Sequence, residues 1–165
     1  RPLDAEILLD AITDVTGVPE TFSLSLPGAA ARKGGKAPRG TRAVELKETD
    51  IYYSRFLDLY GRPNRFSVPE RDATPKLSQA LHMLAGSTYN DKLWAEGSRV
   101  YDLYHRGTSD AKIIKELYLT ALSRPPSKQE VRDLKALIAA TPTRQQALQD
   151  LQWAILSSRE FAENH

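Results

Sequence analysis

The segment from Ser109 to Glu130 constrains what this chain can fold into more than any other. Ser109 suits the N-cap of a helix, where its hydroxyl can take a free N–H of the first turn, and Asp110 sits where the helix dipole favours an anion. Ile113, Ile114, Leu117, Tyr118, Ala121 and Leu122 then recur at helical spacing as one wide apolar stripe. Arg124-Pro125-Pro126 ends that helix, because proline has no N–H to give and pushes the residue before it out of helical backbone. Ser127 and Glu130 restart the chain as a capping box, each side chain closing on the other's N–H. A further helix over 144–156, capped by Thr143, carries Leu148, Leu151, Trp153 and Ile155, and a turn through Ser157 returns Phe161 to it. Residues 109–161 thus read as a three-helix core with a rigid corner. The stretch is structural and carries no chemistry.

The rest of the chain continues the pattern. Residues 3–16 read as a helix with Asp4 as N-cap, Gly17 at the left-handed end position, and Ile7, Leu8, Ala11, Ile12 and Val15 turned inward. A helix over 51–60 follows from Asp50 as cap and Gly61 as stop, with Tyr52, Phe56, Leu59 and Tyr60 inward. Thr74 and Pro75 open another, with Leu77, Ala80, Leu81 and Leu84 inward and Gly86 as its close. Shorter helices over 88–96 and 98–106 are broken near Gly97, with Leu93, Val100, Leu103 and Tyr104 inward and Trp94 and Tyr101 at the margin. Arg42–Leu46 alternates briefly, as a short extended segment would. Nothing alternates as a parallel sheet. The expected class is all-α, a single domain over 1–165: an irregular bundle of roughly six or seven helices with an extended, basic, Gly/Pro-rich loop over 18–48.

Composition bounds function mostly by exclusion. The absence of cysteine removes disulfides, thiolate metal sites, covalent haem attachment and a cysteine nucleophile. A net charge of +2 gives no reason to expect nucleic acid, and no apolar run reaches the roughly 18 residues of a membrane span. The opening Arg1-Pro2-Leu3-Asp4 leads us to expect a piece of a longer protein.

Two stretches are candidates for binding. Between Gly28 and Arg42 stand five basic residues, Arg32, Lys33, Lys36, Arg39 and Arg42, with no acid among them, as in a loop that grips an anion or an acidic partner. Arg62, Arg65 and Arg71 could clamp a carboxylate, sulfate or phosphate by paired hydrogen bonds, with Glu70 and Asp72 as an acid/base pair and His82 beneath. Charge pairing that pins an irregular crossing is the competing reading of that loop. His105 and His165 are isolated, and three scattered histidines give no metal-ligand spacing. No phosphate loop, dinucleotide fingerprint, nucleophile elbow or His-Glu-x-x-His is present. No catalytic residue is assigned, and the isolated domain reads as an interaction module more readily than as an enzyme.

The order Gly61-Arg-Pro-Asn-Arg65, Glu70-Arg71, Leu77-Ser-Gln-Ala-Leu-His-Met-Leu-Ala-Gly86, Glu116 to Ser127 and Ser158-Arg-Glu-Phe161 resembles a bacterial domain of unknown function best known from planctomycetes. That resemblance implies a C-terminal place in large exported proteins, beside a cytochrome-c-like module, and therefore an extracytoplasmic setting. Ser67-Val68-Pro69 stands where the family often has cysteine, and Ala85 where it usually has asparagine. The expected partners are other domains of the same polypeptide; an acidic or sulfated polysaccharide and an acidic cytochrome face are the alternatives. No cofactor is expected in this domain, and any haem would belong to upstream domains.

Overall fold

In the computed structural model the described residues are 3–25, 35–47, 51–62, 79 and 86–163. The first helix, α1 (Ala5–Thr16), starts from Asp4 in extended backbone and stops at Gly17, whose φ of 73° is the left-handed conformation that glycine takes at least cost. It is the hub of the N-terminal half. Around it pack a 3-10 turn (Ala43–Glu45), α2 (Arg55–Leu59), α3 (Ser87–Leu93), α4 (Arg99–His105) and α5 (Asp110–Leu122).

This crowding rotates the buried face of α1 from the expected one. Ala5, Leu8, Leu9, Ile12, Val15 and Thr16 are buried, whereas Ile7 is 45% exposed. The expectation for Ile7 is therefore wrong: a helix wrapped by five elements buries more than one stripe, and Leu9 takes the place that Ile7 leaves.

α5 runs to Ser123, a non-glycine residue at φ 54°, and the chain turns through Pro125 and Pro126 into α6 (Lys128–Ala140). The capping box is formed as the sequence demands. The Glu130 N–H donates to Ser127 Oγ at 3.2 Å, and the Ser127 N–H donates to Glu130 Oε2 at 2.6 Å. Thr143 caps α7 (Arg144–Leu156) by accepting the Gln146 N–H at 3.2 Å, and Ser158 caps α8 (Arg159–Ala162), which buries Phe161. Ser109 departs from expectation: its backbone is that of an N-cap, but its hydroxyl makes no capping bond. Ile113, Ile114, Leu117 and Leu148 are wholly buried where α5 meets α1, α6 and α7.

Two further expectations are corrected. Arg42–Leu46 is not extended. Ala43–Glu45 forms a 3-10 turn, fixed because the buried Asp10 carboxylate accepts the N–H of Ala43 at 2.7 Å and of Val44 at 3.2 Å. The helix expected over 51–60 begins only at Arg55, where Ser54 Oγ accepts the Leu57 N–H at 3.3 Å. Tyr52–Tyr53 instead is a strand, β2, antiparallel to β1 (Ser23–Leu24), with Ser23 opposite Tyr53 and Leu24 opposite Tyr52. On the other side of β1, Ser23 faces Lys36. The helix expected from Thr74 and Pro75 and the Asp50 cap lie outside the described residues. At 62% helix and 5% strand the class is all-α, with eight α-helices among the described residues.

Candidate functional site

Arg62 is the one member of the expected arginine clamp within the described residues. Its side chain is 7% exposed and tied on two sides. Nε donates to Asp58 Oδ1 at 2.8 Å, and a terminal nitrogen donates to the Tyr52 carbonyl at 2.8 Å, covering the outer edge of β2. This guanidinium joins α2 to the small sheet. Arg65, Glu70, Arg71, Asp72 and His82 lie outside the described residues.

Of the basic loop, Arg32 and Lys33 also lie outside them. Arg42 is engaged with α1: a terminal nitrogen meets Asp14 Oδ2 at 3.0 Å and Nε lies 3.6 Å from Asp10 Oδ2, and those two carboxylates raise its pKa. Lys36 and Arg39 are exposed. Next to them a groove of about 320 Å³ is lined by Pro38, Thr41, Leu46, Lys47, Ile51 and Tyr52.

A second cleft, of about 420 Å³, opens where α5 begins. Thr108, Ser109, Asp110, Lys135 and Arg144 line it. Arg144 is fixed there by donating to Asp110 Oδ1 at 2.8 Å and to the Thr108 carbonyl, with its guanidinium 5.3 Å from the centre of the Tyr104 ring. Only Lys135 brings a cation to this cleft that no partner holds among the described residues.

Three charged centres were not visible as such in the sequence. Lys92, on α3, is buried and donates to Thr13 Oγ1 at 3.2 Å and to the Val18 carbonyl, with Glu20 at 3.1 Å. Burial lowers its pKa, against the pull of Glu20 and Asp10. Arg99, on α4, donates to the Val15 and Asp14 carbonyls, each at 3.0 Å, and to Glu116 at 3.1 Å. Arg124 at the proline corner grips Glu130 at 3.0 and 3.1 Å and Glu160 at 2.6 and 3.0 Å, with its guanidinium 5.1 Å from the centre of the Tyr118 ring. Held this way, the Glu130 carboxyl falls to about 2, chiefly through Arg124 and then through Ser127. Among the described residues no group of three or more His, Asp or Glu is placed to hold a metal, and no helix is long and apolar enough to cross a membrane.

The arrangement thus offers architecture, two open clefts and a few exposed cations. A family model described as a protein of unknown function (DUF1553) matches residues 1–138. The chain belongs to that family. The match takes in α1 to α5 and nearly all of α6, and stops short of α7, α8 and Ser158-Arg-Glu-Phe161. No curated protein and no solved structure matches the chain.

Proposed function

We propose that this domain is a helical interaction module that docks against other modules of one exported polypeptide, in which it is the C-terminal part and a cytochrome-like module is a neighbour. The observation that carries the reading is the end of α6. Ala136, Leu137, Ala139 and Ala140 are all exposed, Leu137 at 52%, and only Ile138 between them is buried. A surface helix normally turns polar side chains to water, so an outer face without a charge over more than a turn marks a contact surface. The well-held charges favour the same reading: Arg62, Arg99, Arg124 and Arg144 fasten one element to another, as a scaffold requires.

The test is a calorimetric titration of this chain into the remainder of its parent protein, expressed separately. Saturable binding is expected, and Leu137→Glu should abolish it while leaving the melting curve in place. Absence of binding by the unmodified chain, or indifference to Leu137→Glu, would refute the reading.

A further inference from the structure

We infer that the solvent face of the small sheet is a binding site for an anionic polysaccharide. The register carries it. Ser23 is paired with Tyr53 on one side and with Lys36 on the other, and residues paired directly project to the same face of a sheet. A row therefore runs Tyr53, Ser23, Lys36 across the strands, its ends about 10 Å apart at two strand spacings. Backbone bonds from the Ala37 N–H to the Phe22 carbonyl and from the Ser25 N–H to the Ile51 carbonyl extend the pairing along β1. The period of two then places Thr21 and Ser25 on the face of Ser23, while Phe22 turns the other way and is buried.

The result is a ridge of three hydroxyls, Thr21, Ser23 and Ser25, with an aromatic ring along one flank and an ammonium along the other. Tyr53 is 67% exposed, and Thr21, Ser25 and Lys36 are exposed as well. Among the described residues none of the three hydroxyls and no part of the Lys36 ammonium is claimed by a hydrogen bond or ion pair. Arg39, three residues beyond Lys36, is also exposed and adds charge of the same sign.

Each group has a use for one kind of ligand. The ring offers an apolar plate for the C–H face of a sugar, the hydroxyls exchange hydrogen bonds with sugar hydroxyls, and the ammonium takes a carboxylate or sulfate. A protein partner would call for apolar side chains around Tyr53, where this face has hydroxyls and cations. Single-stranded nucleic acid would call for successive aromatic plates, and among the described residues this face has one, since Tyr52 pairs on the opposite face with Leu24. The site uses none of the residues of the α6 surface, so either proposal can fail alone.

The experiment is a titration, followed by calorimetry, of the 165-residue chain with hexagalacturonate, a sulfated hexasaccharide, neutral maltohexaose, oligoglutamate and oligothymidylate. One of the two anionic sugars should bind saturably, and which one names the anion; maltohexaose should bind about tenfold more weakly or not at all. Tyr53→Ala should weaken binding by about tenfold, Tyr53→Phe should retain it, and Lys36→Glu should lose it. Both positions are exposed, so the three variants should melt with the unmodified chain. The inference is overturned if neither anionic sugar binds, if Tyr53→Ala binds like the unmodified chain, or if oligoglutamate or oligothymidylate binds more tightly than both sugars.

Discussion

Leu117→Ala and Leu119→Ala delete the same atoms from the same helix, two residues apart, and should differ severalfold in cost. Leu117 is wholly buried, on the face of α5 that meets α1, α6, α7 and α8, whereas Leu119 is 42% exposed. Removing three carbons forfeits about 0.8 kcal/mol each in transfer free energy, or about 2.4 kcal/mol for a fully buried side chain. The void adds to that. Packed helices on several sides cannot close it by moving one element, so the total should fall in the upper part of the range of about 2–5 kcal/mol. For a chain of this size that corresponds to a fall in Tm of about 6–20 °C. Leu119→Ala leaves no void and forfeits only part of the transfer term, so about 1 kcal/mol or less is expected. Urea unfolding followed by far-ultraviolet circular dichroism gives both values from midpoints at a common slope. A loss below about 1 kcal/mol for Leu117→Ala, or equal losses for the two, would show that the register of α5 is wrong.

Two further predictions concern the proline corner. The folded-state pKa of Glu130 is depressed to about 2 from 4.5, so the stability it contributes is fully present above about pH 4.5 and is lost as pH falls through about 2. In urea titrations, Glu130→Gln should therefore be less stable than the unmodified chain near neutral pH, and the gap should close toward pH 2; a gap that stays constant would remove Glu130 from the account. Ser123 ends α5 at φ 54°, where a side chain is strained, so Ser123→Gly should stabilise by about 0.5–1 kcal/mol in the same assay, and a loss would show that the hydroxyl is needed there.

What the sequence disclosed is what short-range chemistry decides. The Arg124-Pro125-Pro126 stop, the Ser127–Glu130 box and the Thr143 cap each act within four residues, and each stands in the structure as the pattern requires. The spacing of Tyr52-Tyr53 to Phe56 and Leu59 is helical, whereas their partner is β1, nearly thirty positions earlier. Pairing at that distance overrides local preference. Asp10 was invisible for a related reason: a polar residue on an apolar stripe looks like an interruption until the N–H groups of Ala43 and Val44 are seen to need it.

The candidate site was harder to read because composition counts charges without saying which are already held. Arg62 looked available as part of a cluster, although Asp58 four residues earlier was a legible partner. Arg42, Lys92 and Arg99 come from three different elements and converge on the C-terminal half of α1. There they meet the carboxylates of Asp10 and Asp14, the hydroxyl of Thr13 and the carbonyls of Asp14, Val15 and Val18. A helix C-terminus carries partial negative charge and unsatisfied carbonyls, and cations are what complete it. Three of the basic residues are thus used in packing several elements around one helix end. Charges that could act on an outside partner are the remainder after that use, and Lys36, across Ser23 from Tyr53, is where the fold leaves one with hydroxyls and an aromatic ring on the same face.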